Sequence, residues 1–303
     1  MDTGPRRFHH QDFNREDLVS VKSGRFVTVC LPARDEAATI GPIVATIRRE
    51  LVDRAPLVDE VLVVDDGSSD GTAAVAADEG ATVVAAGDVL PGCGLGQGKG
   101  EALWKALGAA KGDLLVFCDA DVRDFGAGFV TGLLGPLLTD PEVGFVKGFY
   151  ERPLGGVVGE GGRVTELVAR PLLALLFPHL AGVVQPLAGE FAGRRDVLER
   201  VPFVQGYGVD LGLLVDVAAL FGVEAMAQVD LGRRTHRNRP LAELSPQAAA
   251  VLRTALDRAG VDPGSVDRGG EPAVLVRPGF EPQPIPSGER PPILEEPEYR
   301  ARR

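Results

Sequence analysis

The chain has 303 residues, 45% of them hydrophobic, and a formal net charge of −11 at pH 7. This length suits one large domain or two small ones, and the apolar content excludes a wholly disordered chain. The acidic balance argues against a nucleic-acid-binding protein, which normally carries a basic face, but it leaves room for a local phosphate site. Three cysteines without metal-ligand spacing, and apolar runs too interrupted to span a membrane, favour a reducing, cytoplasmic compartment.

The first half of the chain alternates apolar runs with helix-like segments. Residues 26–31 form a continuous apolar run that ends at Pro32, which predicts a buried parallel strand. Further strands are predicted at residues 61–66, 81–86 and 113–121, and helices at residues 39–51, from 72 onward and at 101–110. Strands and helices that alternate in this way predict an α/β fold, with a Rossmann-like, mostly parallel sheet and right-handed crossovers.

The second half of the chain is less regular. Its pattern predicts strands at residues 143–149 and 225–231, helices at residues 164–177 and 208–221, and a flexible loop at residues 155–162. From residue 262 onward proline and glycine crowd together, which predicts an extended tail that is either disordered or strapped over a neighbour.

Polar clusters follow three of the predicted strands, at residues 32–36, 65–68 and 119–121. Ligands of open α/β sheets bind beyond the carboxyl ends of the strands, so these clusters are expected to meet at one edge. A single such cluster could equally be an Asx-rich turn or a helix cap. Asp119 and Asp121 follow a buried strand, where a carboxylate pair is costly unless a cation neutralises it. This pair therefore predicts a site for a hard divalent ion, Mg²⁺ or Mn²⁺.

Three other segments carry candidate chemistry. The loop GLGQGKG matches neither a Walker motif nor a dinucleotide fingerprint, and Lys99 in it is either incidental or close to a diphosphate. The segment 161–167 (GGRVTEL) is either a plain helix start or an anion site. His236 lies among four arginines and is either structural or a metal ligand, since neighbouring positive charge favours neutral imidazole.

Eight strings of this sequence together resemble the glucosyl-3-phosphoglycerate synthases, a family of retaining GT-A glycosyltransferases. They lie between residues 26 and 244: PARDE, VVDDGSSDGT, GKGEALWKAL, FCDAD, GGRVTELVARPLL, QPLAGE, GYGVDLGLL and AQVDLGRRTHRNRPL. The resemblance implies a GT-A fold whose C-terminal half binds the acceptor. It also implies transfer of glucose from UDP-glucose to the 2-hydroxyl of 3-phosphoglycerate, a Mg²⁺ or Mn²⁺ ion and a homodimer.

The resemblance also implies site residues, position by position. The donor-binding residues are Pro32, Ala33, Arg34, Glu36, Asp66, Lys99, Asp119, Ala120, Tyr207, Gly208, Val209, Asp210, Arg234 and Arg237. The acceptor-binding residues are Gly162, Arg163, Val164, Thr165 and Asn238, and the metal ligands are Asp121, His236 and Asp119. Catalytic roles fall to Leu187, Asp210 and Lys99. Glu190 is not convincingly placed as a covalent nucleophile, which favours front-face transfer.

These expectations divide the chain into four parts. They are an N-terminal arm (1–24), a nucleotide-sugar-binding half (25–150), an acceptor-binding and metal-completing half (151–261) and the tail (262–303). Alternatives remain open within and outside this fold. GDP-mannose could replace UDP-glucose, since residues 32–36 and Asp66 do not reveal the base. A sugar nucleotidyltransferase usually has glycines in its first strand–helix loop, which PARDEAATI lacks, and a catalytically inactive binding module would not need Asp119, Asp121 and His236.

Overall fold

The structure is a computed structural model that describes residues 4–151, 162–234, 240–261 and 273–302. The strands in this part of the chain are β1 (Arg6–His9), β2 (Val27–Ala33), β3 (Glu60–Asp65), β4 (Thr82–Ala85), β5 (Leu114–Phe117), β6 (Phe145–Glu151), β7 (Phe191–Arg194), β8 (Phe203–Val204), β9 (Met226–Arg233), β10 (Val274–Leu275), β11 (Gln283–Pro284) and β12 (Glu289–Arg290). Eight of them form one sheet in the order β1-β9-β6-β7-β5-β2-β3-β4.

The α-helices of the described residues are α1 (Arg15–Val21), α2 (Ala37–Ile47), α3 (Thr72–Asp78), α4 (Gly98–Ala109), α5 (Ala127–Thr139), α6 (Arg170–Leu176), α7 (Arg195–Leu198), α8 (Val209–Phe221), α9 (Leu241–Arg258) and α10 (Pro297–Arg300). A π-helical turn over Thr165–Ala169 leads into α6. Among these residues, no helix combines the length and the apolarity that crossing a bilayer requires.

Helix α2 illustrates how the local pattern becomes structure. Its apolar residues Ile40, Ile43, Val44 and Ile47 follow helical spacing, and all four are 0% exposed beneath the sheet. The helix starts two residues before the predicted Thr39. After Ile47 the chain continues as a π-helical turn through Asp53, so the predicted helix ends in a different geometry.

Seven strands of the main sheet run in one direction, and β7 alone is antiparallel to its neighbours β5 and β6. The carboxyl ends of β2, β3, β5, β6 and β9 therefore lie at one edge. The start of β7 lies at the same edge, because Phe191 pairs with Phe117 at the end of β5. The predicted mostly parallel α/β sheet is confirmed, and β7 is a strand that the sequence pattern did not predict.

The N-terminal residues differ from the predicted polar arm. Arg6–His9 form the edge strand β1, which pairs in parallel with β9. Phe8 and Phe13 then pack their rings 5.7 Å apart, and a Cβ on Gly135 of α5 would lie 2.2 Å from the ring of Phe13. Residues 6–21 are therefore part of the domain. Their few apolar residues show no recognisable period in the sequence, yet they pack against the edge of the domain.

The core lies on both faces of the sheet. One face packs aromatic side chains, with the rings of Phe117 and Phe191 stacked 4.5 Å apart, against α4 and α8. The other face packs mainly aliphatic side chains of the strands against α2 and α5. Burial on both faces explains why the strands read as continuous apolar runs rather than as alternating patterns.

Candidate active site

The Asp-x-Asp segment follows β5 at the carboxyl edge of the sheet. All four residues of β5 are buried, whereas the side chains of Asp119 and Asp121 are 29% and 38% exposed. A Cβ on Gly189 would lie 2.2 Å from the carboxylate oxygens of Asp119, so only glycine at that position leaves room for this side chain. The two carboxylates are thus held at the sheet edge and reachable from solvent, as a cation site requires.

Arg234, directly after β9, lies among acidic side chains and is 2% exposed. Its Nη1 atom is 3.2 Å from Asp119 Oδ2 and its Nη2 atom is 2.7 Å from Asp121 Oδ1. Nη1 is also 2.6 Å from Glu190 Oε1 and from the hydroxyl oxygen of Tyr150. Burial is the largest influence on the Arg234 pKa and lowers it. The surrounding acidic groups outweigh burial, so the pKa lies well above its usual value.

The sequence did not indicate that Arg234 and Glu190 are buried and form an ion pair with each other. The role of Arg234 in donor binding stays a prediction. In the structure, Arg234 links the ends of β5 and β9 with the residue before β7. Glu190 is 0% exposed and ion-paired with Arg234. A carboxylate in that position is poorly available as a nucleophile, which agrees with the argument against a covalent intermediate.

A second charged group joins α4, β6 and α8. Asp210, 4% exposed at the start of α8, has Oδ2 2.9 Å from Lys99 Nζ and Oδ1 3.1 Å from Lys147 Nζ. Lys99 Nζ also lies 3.5 Å from Asp119 Oδ1, so this group adjoins the Asp-x-Asp segment. Burial lowers the pKa of Lys147, and Asp210 only partly offsets this. The pKa of Lys99 is raised, because Asp119 and Asp210 together outweigh its burial.

Two loops lie where the donor base is predicted to bind. Arg34 Nη1 is 3.6 Å from Asp66 Oδ2, and burial raises the pKa of Asp66 despite this arginine. Asp35 adopts a left-handed backbone with φ 56°; its N–H donates to Ser68 Oγ (3.0 Å) and its carboxylate accepts from the N–H of Ser69 (2.8 Å). The two loops are therefore tied to each other. The other residues predicted here lie at the end of β2 and at the start of α2: Pro32, Ala33 and Glu36.

The predicted sugar and acceptor residues occupy the second half of the site. Leu187 lies in the turn that leads into β7 and packs partly against the core. The segment 207–210 forms a short helical turn that continues into α8. Gly162 has φ 76° and precedes the helical turn that carries Arg163, Val164 and Thr165, which agrees with the predicted helix start. His236, Arg237 and Asn238 lie outside the described residues.

Comparison with known proteins places this geometry in a family. The profile of Glycosyl transferase family 2 matches residues 28–201. The glucosyl-3-phosphoglycerate synthase of Mycolicibacterium smegmatis is 50% identical over 254 residues, which are 82% of this chain and 83% of the relative. The chain belongs to the glucosyl-3-phosphoglycerate synthase group of this family.

Solved structures of such synthases have the same fold. The crystal structure of the glucosyl-3-phosphoglycerate synthase of Mycobacterium tuberculosis with Mn²⁺, UDP-glucose and phosphoglyceric acid matches with a TM-score of 0.86 and 41% identity, covering 96% of this chain and 98% of that one. The mannosyl-3-phosphoglycerate synthase of Rubrobacter xylanophilus matches with a TM-score of 0.86 and 42% identity, covering 96% and 97%. The predicted family and GT-A fold are confirmed, whereas the fold alone does not separate glucosyl from mannosyl donors.

Sequence reasoning overlooked two residues of the site. Lys147 and Tyr150 lie on β6, and their side chains contact Asp210 and Arg234 respectively. Lys147 was visible as a lysine inside the otherwise apolar run of a predicted central strand. A buried lysine at such a position needs a carboxylate partner, and this signal could have found it. Tyr150 carried no comparable signal.

Proposed function

We propose that the chain transfers glucose from UDP-glucose to the 2-hydroxyl of 3-phosphoglycerate, with retention of the anomeric configuration. Identity of 46–50% to glucosyl-3-phosphoglycerate synthases over most of the chain carries this proposal. A further crystal structure of the Mycobacterium tuberculosis enzyme holds Mn²⁺, UDP and glucosyl-3-phosphoglycerate. In this proposal the strand-end carboxylates hold the cation, Lys99 faces the diphosphate and the helix start at Arg163 binds the acceptor phosphate.

Asp119 and Asp121, together with His236, are the residues that would hold a divalent cation. Carboxylate oxygens suit Mg²⁺ and Mn²⁺, the ions bound in structures of the Mycobacterium tuberculosis relative. The described cluster has one more carboxylate than cationic side chains: Asp119, Asp121, Glu190 and Asp210 against Lys99, Lys147 and Arg234. A divalent cation makes this balance positive and stabilises the charge of a leaving diphosphate. The charges and the ligand atoms of this cluster therefore suit a divalent cation.

The chain's own residues have distinct tasks in the transfer. Lys99 places a permanent positive charge beside Asp119, where charge on the departing UDP accumulates. Asp210 offers a carboxylate to sugar hydroxyls while Lys147 and Lys99 hold its two oxygens in place. The backbone carbonyl of Leu187 faces the anomeric centre in this proposal. The oxygen of the acceptor 2-hydroxyl then bonds to that carbon on the face from which the bond to UDP breaks, and the hydroxyl proton passes to the departing diphosphate.

The acceptor phosphate is assigned to the helix start at residues 162–165 and to Asn238. Replacing Arg163 by alanine is expected to raise KM for 3-phosphoglycerate about tenfold to a hundredfold, because one charge-assisted contact to phosphate is lost. KM for UDP-glucose should change little. Steady-state kinetics of Arg163→Ala test this beside Arg253→Ala, which removes a partly exposed arginine of α9 paired with Asp257. Equal rates with glycerate and 3-phosphoglycerate in the unchanged enzyme would contradict the assignment.

The donor is tested with UDP-glucose, GDP-glucose and GDP-mannose, each with 3-phosphoglycerate and Mg²⁺ or Mn²⁺. We expect kcat/KM for UDP-glucose to exceed the other values by about a hundredfold, because a site built for one base leaves polar groups unpaired with the other. Mass spectrometry identifies the product. A higher kcat/KM with GDP-mannose would make the chain a mannosyl-3-phosphoglycerate synthase and leave the fold, cation and acceptor assignments in place.

We also propose that the enzyme is a cytoplasmic homodimer. Leu167 and Leu175, on the helical segment 163–176, are 76% and 79% exposed, and a second copy is the occupant we propose for this apolar face. Light scattering coupled to size exclusion checks the mass. A monomer at micromolar concentration would refute the dimer without affecting the reaction.

A further inference from the structure

The C-terminal strap, residues 288–302, folds back over the donor half of its own chain. Strand β12 pairs with β8 in antiparallel register, and the indole Nε1 of Trp104 donates to the carbonyl of Pro291 (3.0 Å). Ile293 and Tyr299 are 0% and 3% exposed. The sequence predicted a tail that is disordered or strapped over a neighbour, and this part of it instead packs into the core.

Three residues of the strap reach the Gly-rich loop, residues 91–97. Glu298 accepts from the N–H of Gly92 (3.0 Å) and Glu296 accepts from the thiol of Cys93 (3.2 Å), whereas Arg290 alone of the three also contacts α4. Its Nε and Nη2 atoms lie 2.6 and 2.8 Å from the two oxygens of Glu101, a bidentate ion pair with a side chain that is 1% exposed. Its Nη1 atom donates to the carbonyl of Cys93 (2.7 Å) and Nη2 to that of Gly94 (3.0 Å). One side chain therefore holds both the loop and the first turn of α4.

The strap also holds the segment before α8. The N–H of Gln205 donates to the carbonyl of Gly288 (2.9 Å), next to the pair between Glu289 and Val204. Asp210 follows this segment, and Lys99 lies two residues before Glu101. The 2.9 Å contact between Lys99 and Asp210 is thus formed by the two segments that the strap joins.

These two segments approach each other without side chains between them. A Cβ on Gly100 would lie 1.8 Å from the carbonyl oxygen of Val204, so only glycine fits there. The N–H of Gly206 donates to the carbonyl of Gln97 across the same contact (3.2 Å). The backbone on either side of Lys99 is therefore packed directly against the segment that leads to Asp210.

The Gly-rich loop contains three glycines and is costly to order. Lys105 of α4 holds its beginning, with Nζ near the carbonyls of Val89, Leu90 and Gly94. Arg290 adds contacts from outside the donor half and ties the loop to α4. Because these contacts order the loop in the folded protein, the entropic cost of ordering it does not reduce the affinity for the donor.

We propose that Arg290 is a positioning residue of the active site. Through it the C-terminal strap fixes the relative positions of Lys99, which faces the donor diphosphate, and Asp210, which faces the donor sugar. This inference rests on the proposed transferase function. It assigns to the end of the chain a task in donor binding, and none in acceptor binding.

Two variants separate the loop contacts from the ion pair. Arg290→Lys keeps a positive charge opposite Glu101 but loses the forked contacts to the loop carbonyls. Arg290→Ala loses both. We expect kcat/KM for UDP-glucose to fall about tenfold in Arg290→Lys and about a hundredfold in Arg290→Ala, with KM for 3-phosphoglycerate changed less than twofold. If Arg290→Ala does not fold, the kinetics of Arg290→Lys alone test the inference.

Arg258→Ala is the matched control. Arg258 makes a bidentate pair with Asp216 and contacts Glu289 of the strap (2.7 Å), away from the Gly-rich loop. If the strap acted only through general stability, Arg258→Ala and the Arg290 variants would lose activity in proportion to their loss of stability. We expect the control to keep the donor kcat/KM within twofold at equal folded fraction.

Amide hydrogen exchange gives a readout that does not need turnover. Peptides that cover residues 90–98 should exchange at least about tenfold faster in Arg290→Lys than in the unchanged protein, and Arg258→Ala should not differ there. Unchanged exchange in this loop, or a loss confined to KM for the acceptor, overturns the inference. Failure of the unchanged enzyme to transfer glucose would instead refute the proposed function and leave the exchange result meaningful.

Discussion

Asp121→Ala is expected to lower kcat at least about a thousandfold, equivalent to about 4 kcal/mol of the activation barrier. The reason is that Asp121 is a proposed cation ligand whose side chain is 38% exposed at the sheet edge. The fold should survive, because Arg234 keeps its contacts with Asp119, Glu190 and Tyr150. Turnover of UDP-glucose and urea unfolding, measured on the same preparation, separate the two effects.

Asp124→Ala is the control for this variant, since Asp124 is an exposed aspartate three residues further along the same loop. It should keep the activity of the unchanged enzyme. EDTA should abolish turnover, and added Mg²⁺ or Mn²⁺ should restore it. An enzyme that retains full activity in EDTA, or an Asp121→Ala variant within tenfold of the unchanged enzyme, would show that the cation assignment is wrong.

Asp210→Asn should lower kcat/KM about a hundredfold, through lost contacts to the sugar and a displaced Lys99. The carboxylate is ion-paired with both Lys99 and Lys147, and the side chain of Lys147 is 2% exposed. Leaving such a charge uncompensated costs about 3–5 kcal/mol of stability. Because burial already lowers the pKa of Lys147, loss of Asp210 favours its neutral form, and this relieves part of that cost. Kinetics and chemical unfolding of the same sample test both effects.

Asp216→Asn is a matched control on the same helix. Asp216 pairs with Arg258 and takes no part in the proposed site. It should lose stability while keeping kcat/KM within about twofold at equal folded fraction. Asp210→Glu, which keeps a carboxylate on a side chain longer by one methylene, should retain far more activity than Asp210→Asn. Equal activity of Asp210→Asn and the unchanged enzyme would remove Asp210 from the proposed machinery.

The positions of the clusters were predictable because they depend on local rules. Apolar runs of strand length, each ending in carboxylates, predict that Asp66, Asp119 and Asp121 lie at one edge of the sheet. The structure has β3 and β5 where those runs lie, with both Asp-x-Asp carboxylates beyond β5. The family strings added residue roles that spacing alone leaves open, and those roles stay predictions.

Contacts between distant parts of the chain could not be predicted from local patterns. Arg234 and Asp119 are 115 residues apart, and Arg290 and Glu101 are 189 apart. No periodicity links such pairs, because their meeting depends on strand order and on the antiparallel insertion of β7. The N-terminal strand β1 escaped prediction for the same reason, since its four residues are defined by pairing with β9 rather than by their own pattern.

The sequence by itself thus determined the α/β class, the edge of the sheet that carries the carboxylates, and the family with its reaction. These follow from residue period, from strand-end chemistry and from long shared strings. Only the tertiary structure decided which charges compensate one another: Lys147 with Asp210, Arg234 with the acidic cluster, and Arg290 with Glu101. Compensation depends on distances of about 3 Å and on burial, and both are set by packing of the whole chain.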